Sequence, residues 1–112
     1  MSSQIDMSAF ESLKEMTGPD FIGELIDTFL EDAPKLIKEL ETALAAGDAE
    51  SFRRAAHSLK SNAASFGALH LSSLSKELEM LAKENKLSEV GSRITVLEEA
   101  YRSAAEELKG MR

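Results

Sequence analysis

The stretch Ala55-Ala56-His57-Ser58-Leu59-Lys60-Ser61-Asn62-Ala63-Ala64-Ser65-Phe66-Gly67-Ala68 decides the fold that we expect for this chain. Its apolar residues recur at alternating spacings of three and four, which is the period of an amphipathic helix. At about 100° per residue they form one stripe, which begins one turn earlier, at Phe52. His57 projects about 140° from the middle of that stripe. The segment therefore predicts a helix with a buried apolar face and an imidazole in solvent.

The same helical period extends through most of the 112 residues, which contain only two prolines and six glycines. A chain of this length folds as one domain with a core of its own. We therefore predict a single all-α domain over residues 1–112, an antiparallel four-helix bundle with an additional short N-terminal helix.

Local signals predict where the first two helices begin and end. Ser8-Ala9-Phe10-Glu11 has the form of a capping box and opens the short helix, which runs to about Met16. Pro19 is expected near the first position of the second helix. The stripe of that helix passes through Pro34 without losing phase, which favours one kinked helix, with two helices meeting near Asp32 as the alternative. The stripe consists of Ile22, Ile26, Phe29, Ala33, Leu36, Leu40 and Leu44.

Three further helices complete the prediction. Gly47 is expected to end the second helix in a left-handed conformation, and Asp48 to cap the third, which Gly67 closes after Phe66. The fourth ends near Asn85 and turns Leu71, Leu74, Leu78 and Leu81 inward. The fifth is predicted as one continuous helix that packs along the bundle. Its apolar stripe consists of Leu87, Val90, Ile94, Leu97, Tyr101, Ala104 and Leu108.

Composition excludes several classes of function. The absence of cysteine removes disulfides, thiol catalysis and thiolate metal sites, and two histidines without surrounding carboxylates predict no metal site. A net charge of −7 argues against nucleic acid as a partner. No apolar run is long enough for a membrane span, and Met1-Ser2-Ser3-Gln4 does not open a signal peptide. We therefore expect a cytoplasmic monomer that binds neither membranes nor nucleic acid.

The acidic residues are unevenly distributed. No Asp or Glu occurs between Glu50 and Glu77, whereas that stretch carries Arg53, Arg54, Lys60 and Lys76. On the predicted third helix, three of these cations lie one turn from His57, as does Ser61, and Ala64 follows on the same face. The sequence thus predicts an uncrowded, cationic surface around His57, which an anion would approach with little electrostatic penalty.

An imidazole in this setting suits phosphoryl chemistry, because its neutral form carries a free lone pair near pH 7. From spacing alone, an exposed histidine on an amphipathic helix is more often a solvated residue without a role. The cations could be a solvated face, and Ser61 and Ala64 could serve close helix packing. His70 is expected to be structural or a surface residue. Phe21 and Leu25, at the edge of the second helix's stripe, are expected in the core rather than in a docking surface.

The chain resembles the histidine-containing phosphotransfer (HPt) domains of bacterial phosphorelays. The stretch from Ala56 to Ala68, with His57, Leu59, Lys60 and the Gly67-Ala68 pair, looks like that family's phosphorylation motif. Phe29-Leu30-Glu31-Asp32-Ala33-Pro34 resembles the preceding helix of the family, and the resemblance covers essentially the whole chain. Many members have glycine after the motif lysine, where this chain has Ser61. This difference would affect how tightly a partner docks.

The resemblance implies a phosphoryl carrier rather than an enzyme with its own ATP site. His57 would accept a phosphoryl group from the aspartyl phosphate of one receiver domain and pass it to another, and Lys60 would contact the phosphoryl oxygens. Arg53, Arg54, Ser61 and Ala64 would contribute to docking. The carrier itself would need no cofactor, since Mg²⁺ is expected on the receiver. The alternatives are a helical adaptor in which His57 is incidental and an enzyme that uses His57 as a general base. A free-standing protein is favoured over a segment of a hybrid kinase.

Overall fold

A computed structural model describes residues 5–112, and the expectation about Met1 to Gln4 lies outside the described residues. Within that range the chain is all-helical, without a strand. Helix α1 spans Met7–Thr17, α2 Ile22–Ala46, α3 Ala49–Ser65, α4 Leu69–Lys83 and α5 Arg93–Met111, and a 3₁₀ turn at Leu87–Glu89 precedes α5. No helix in the described part of the chain has the length and apolarity that crossing a bilayer requires.

Helices α2 to α5 form an antiparallel four-helix bundle, as predicted. Each of these four helices packs on the next one along the chain. Helix α5 also packs on α2 and so closes the bundle, and α1 lies against α2 and α3. The predicted stripe of α3 is buried, with Phe52, Ala56, Leu59 and Ala63 fully inaccessible and Phe66 nearly so. Removing these side chains from water is the main favourable term in folding.

The connection from α2 to α3 follows its predicted form. Gly47 has φ 69° and ψ 24°, a left-handed conformation that costs glycine little. The Asp48 side chain accepts a hydrogen bond from the backbone N–H of Ser51 at 3.1 Å and caps α3. This short connection fixes where α3 begins and therefore how His57 is oriented.

Helix α2 is continuous through Pro34, so the alternative of two helices is wrong. Proline has no N–H to donate to the carbonyl four residues earlier, which is that of Leu30. The Tyr101 hydroxyl of α5 donates to this carbonyl at 3.4 Å. The Tyr101 ring also lies 6.0 Å from the ring of Phe29, which in turn lies 5.0 Å from the ring of Phe66. An aromatic cluster thus joins α2, α5 and the end of α3.

The predicted starts of α1 and α2 are wrong. Helix α1 is preceded by Asp6, and Ser8 lies inside the helix, so the predicted capping box does not form. Pro19 belongs to the turn that precedes α2, whose first residue is Ile22. In both places the helix begins within three residues of the boundary that the local motif predicted, but without the predicted cap.

The fifth helix is also shorter than predicted. The register from Leu87 to Leu108 is interrupted, because Gly91 adopts φ 53° between the 3₁₀ turn and the first residue of α5, Arg93. Val90 is nonetheless fully buried, and Leu87 packs against the core. The apolar period therefore predicted burial correctly but not helical continuity.

The burial of individual side chains on α2 differs from the prediction in one important case. Leu25 packs partly against the core, whereas the Phe21 side chain is 59% exposed, so its expected place in the core is wrong. Phe21 immediately precedes the buried Ile22 and lies about 100° from it around the helix, outside the face of α2 that packs on the bundle. An exposed aromatic ring of this size is available to a partner.

Gly67 closes α3 at the point where the N-terminal segment docks. It has φ 79°, its carbonyl accepts a hydrogen bond from the N–H of Asp6 at 2.7 Å, and a Cβ at this position would lie 2.5 Å from the Asp6 carbonyl oxygen. Ile5, beside this contact, is 2% exposed. Glycine is therefore required both by the backbone conformation and by the close approach of a second backbone segment.

We predict that Gly67→Ala lowers the free energy of unfolding by about 2–4 kcal/mol, through the positive φ and the clash with the Asp6 backbone. Urea unfolding followed by circular dichroism measures the change. Gly110→Ala is the matched control, because Gly110 is helical and a Cβ there has open space. The control should unfold at equal or higher urea, and equal stability of the two variants would contradict the account.

Two carboxyl groups meet where α2 packs on α5. Burial raises the pKa of Glu98, and a hydrogen bond and charge repulsion from Glu41 raise it further, while Arg102 opposes the shift. A group whose pKa is raised in the folded state stabilises the fold at low pH, and that contribution is lost as the pH rises through the folded pKa.

We predict that Glu98→Gln raises the stability of the protein at pH 7, because the amide cannot ionise beside Glu41. The advantage should shrink as the pH falls towards 4.5, the ordinary pKa of glutamate, where the wild-type carboxyl also becomes neutral. Urea midpoints measured from pH 4 to 8 test this, with the exposed Glu99→Gln as control. A Glu98→Gln variant that is less stable than wild type at pH 7 would refute the prediction.

Candidate functional site

His57 lies in the middle of α3 with its side chain 55% exposed, as the sequence predicted. Its Nδ1 atom lies 2.8 Å from Oε2 of Glu79, which projects from α4. The Lys60 ammonium donates to the other oxygen of the same carboxylate, Oε1, at 2.7 Å. A single carboxylate therefore holds both predicted site residues.

Glu79 itself is almost fully buried, with 5% of its side chain exposed. The hydrogen bond from Lys60 is the main cause that lowers its pKa, and the hydrogen bond from His57 acts in the same direction, whereas burial opposes both. Glu79 is consequently ionised at neutral pH. Its contribution to stability is present above its ordinary pKa of 4.5 and is lost as the pH falls through the lowered value in the folded protein.

The ionised carboxylate determines which nitrogen of His57 can react. A carboxylate only accepts hydrogen bonds, so the proton of a neutral ring must be on Nδ1. The lone pair is then on Nε2, which has no hydrogen-bond partner among the residues that the structure describes. The geometry thus creates an exposed imidazole with a defined tautomer and an available nucleophilic atom.

The two packed helices are also joined beside the site. The Ser72 hydroxyl of α4 donates to the backbone carbonyl of Lys60 at 3.0 Å. The fully buried Ser75 donates to the carbonyl of Leu71 within α4, and its small side chain allows α3 and α4 to approach closely. This close packing brings Glu79 within hydrogen-bond distance of His57.

Glu79 was not among the predicted site residues, because the inner face of α4 was expected to be centred on four leucines. Leu71 and Leu78 are buried, but Leu74 and Leu81 are only partly so, and the buried face includes Ser75, Glu79 and Ala82. At about 100° per residue the true face is rotated by about 60° from the predicted one. A glutamate close to serine and alanine on one helix face was the available signal.

The expected cationic, acid-free surface around His57 is wrong. Arg53 donates through Nε and Nη2 to the two oxygens of Glu50, at 3.2 and 2.7 Å, and Arg54 lies 3.7 Å from the same carboxylate. The hydrogen bond between Glu50 and Arg53 lowers the pKa of Glu50 and raises that of Arg53. Glu50 lies only one helical turn before the two arginines, but the charge count began after it. Glu79 is 19 residues from Lys60 and reaches it only because α4 packs on α3.

The remaining predicted docking residues lie on the surface. Arg54, Ser61 and Ala64 are exposed, while Arg53 is half-buried against Glu50. His70 is exposed on α4 and makes no contact with His57 in the described interactions. Residues 5–112 contain no group of three or more carboxylate and imidazole side chains that is arranged to hold a metal ion.

The helical bundle thus presents the oriented imidazole of His57 on its surface. Residues 24–109 match the family model described as the Hpt domain. This chain belongs to the Hpt family, the histidine phosphotransfer domains that act as relays in two-component signalling.

Two relatives place the chain within the family. The crystal structure of histidine-containing phosphotransfer protein B (HptB) from Pseudomonas aeruginosa PAO1 matches with a TM-score of 0.92 and 31% identity, over 99% of this chain and 96% of that chain. The sensor protein TorS of Escherichia coli (strain K12) is 35% identical over 75 residues, which are 67% of this chain but only 8% of TorS.

We predict that Glu79→Gln changes the tautomer of His57, because a neutral amide can face Nδ1 with either its oxygen or its nitrogen. ¹⁵N chemical shifts of the ring nitrogens at pH 8 should show a proton on Nδ1 in the wild type and a mixture of tautomers in the variant. Glu77→Gln is the matched control, two residues away on the exposed face of α4. The same tautomer population in all three proteins would contradict the assignment.

Proposed function

We propose that this chain is a phosphorelay intermediate that accepts a phosphoryl group on His57 from the aspartyl phosphate of one receiver domain and passes it to the aspartate of another. The observation that carries this proposal is the hydrogen bond between Glu79 and Nδ1 of His57, which leaves the lone pair on Nε2 of a ring that is 55% exposed. Family membership supports the relay role.

The transfer balances without a separate base. The Nε2 lone pair attacks phosphorus as the bond from phosphorus to the aspartate oxygen breaks, and the carboxylate leaves with that electron pair. The proton stays on Nδ1, so the phosphorylated ring carries a positive charge beside the Glu79 carboxylate, which stabilises it. In the second transfer a receiver aspartate attacks phosphorus, and the electron pair of the P–N bond returns to Nε2.

Lys60 supplies the second charge of the site. Its ammonium is held at 2.7 Å from Glu79 and its side chain is 28% exposed, so it is positioned beside His57 without being enclosed. When phosphate is attached, this ammonium contacts the phosphoryl oxygens and reduces their repulsion from Glu79. The receiver provides its own Mg²⁺ and most of the transition-state stabilisation, and the carrier has no ATP site of its own.

Receiver docking uses the surface around His57. Exposed Ser61 and Ala64 leave room for a second protein to close over the ring, and exposed Arg54 borders them. Phe21 adds an exposed aromatic ring, and Leu25 next to it lines a cavity of about 310 Å³ between α1, α2 and α3. A partner that must be released after each transfer requires a docking surface at the small end of the usual range.

We predict that His57→Gln abolishes labelling by a ³²P-phosphorylated receiver domain, and that Lys60→Met reduces the transfer rate by roughly 10–100-fold through loss of a charge on the phosphoryl group. Labelled wild type should lose its phosphate in acid and keep it in base. His70→Gln, the only other histidine, is the control and should be labelled normally. Equal labelling of His57→Gln and wild type would favour the adaptor alternative.

A further inference from the structure

A cavity of about 580 Å³ lies on the outer side of α4, next to the first residue of α5. We call it the outer groove. Leu74, Met80 and Leu81 supply its apolar surface, and the Met80 side chain is 44% exposed. His70, Leu74, Glu77 and Leu81 recur in it at spacings of four, three and four. Residues at these spacings form one stripe of a helix, on which a second helix can pack.

The outer groove is separate from the proposed phosphoryl site. Glu79 points from α4 towards His57, and the residues of α4 that line the groove centre about 150° around the helix from Glu79, at 100° per residue. An occupant of the groove would therefore approach from the opposite side of α4 and leave the His57 ring accessible. The lining of the groove includes none of His57, Lys60 and Glu79.

The basic side chains of the groove favour a negatively charged occupant. Lys76 and Arg93 lie in its lining, and neither forms an ion pair with a carboxylate in the described part of the chain. The Arg93 guanidinium donates only to the backbone carbonyl of Glu89 among the described contacts. His70 is a third basic group, and Glu77 is the one acidic residue of the lining. This cationic groove lies on a chain of net charge −7, so it attracts negative charge where most of the surface repels it.

We propose that the outer groove binds an amphipathic helix of a partner protein, with apolar residues at helical spacing and acidic residues along both edges. Its apolar side chains cover Leu74, Met80 and Leu81, and its carboxylates pair with Lys76 and Arg93. The partner remains bound while a receiver domain docks at His57, so the groove tethers the carrier without blocking transfer.

The test uses the full chain and a fluorescein-labelled 18-residue helical peptide, with leucines at alternating spacings of three and four and glutamates on both flanks. Anisotropy should show saturable binding, and ¹H–¹⁵N spectra should shift at residues 70–81 and 93 but not at His57 or Phe21. The double variant Lys76→Glu/Arg93→Glu should bind about tenfold more weakly. A peptide with lysine in place of glutamate should prefer the double variant. Lys35→Glu/Lys109→Glu has the same net charge and should bind like wild type.

Four binding results would overturn the proposal. These are no saturable binding of the acidic peptide, equal affinity of wild type and the double variant, spectral shifts centred on the His57 face, and binding to vesicles of anionic lipid in place of the peptide. The ³²P transfer assay with the peptide present separates this proposal from the relay function. Labelling of His57 at an unchanged rate with peptide bound supports tethering, and a rate that falls in proportion to bound peptide contradicts it.

Discussion

The buried carboxylate of Glu79 is the group on which the rest of the site depends. Removing a carboxylate from water costs several kcal/mol unless charged partners compensate. Here His57 and Lys60 both bond to it, and hydrogen bonds to charged groups contribute about 1.5–3 kcal/mol each, so together they offset much of that cost. The interactions that keep Glu79 stable in the bundle are thus the same ones that orient the imidazole. Stability and function share one set of contacts.

The four-helix bundle serves this arrangement by fixing α3 against α4. Small side chains on the inner face of α4 allow the two helices to approach closely, and Ser72 joins α4 to the backbone of α3 at Lys60. The cap at Asp48 and the close contact at Gly67 fix the two ends of α3. His57 therefore sits at the centre of a rigid segment, which suits a nucleophile that must be in place before its partner arrives.

The parts of the fold set by local chemistry could be predicted from the sequence. The period of α3, the left-handed Gly47 and the cap at Asp48 depend on neighbouring residues, and the structure agrees with them. His57 is exposed because its angle from the apolar stripe follows from the period alone. The start of α5 was wrong, because apolar spacing does not register a change in backbone direction at Gly91.

The parts that depend on packing between helices could not be predicted in the same way. Glu79 is 22 residues from His57, and only the rotation of α4 about its own axis decides whether it points to solvent or to the site. Phe21 fits an apolar stripe but lies where no neighbouring helix covers it. A surface that appears cationic along the chain is largely neutralised in three dimensions by Glu50 and Glu79. Counting charges within a segment omits Glu50, which lies one helical turn outside it, and Glu79, which packing between helices brings to Lys60.

The position of phosphate on the imidazole tests the central claim most directly. With Nδ1 bound to Glu79, the phosphoryl group can attach only at Nε2, so ³¹P–¹⁵N NMR of the chain, labelled on the ring nitrogens of histidine and phosphorylated by a receiver domain, should show coupling from phosphorus to Nε2 of His57. Coupling to Nδ1 of His57, or phosphate on another residue, would contradict the account.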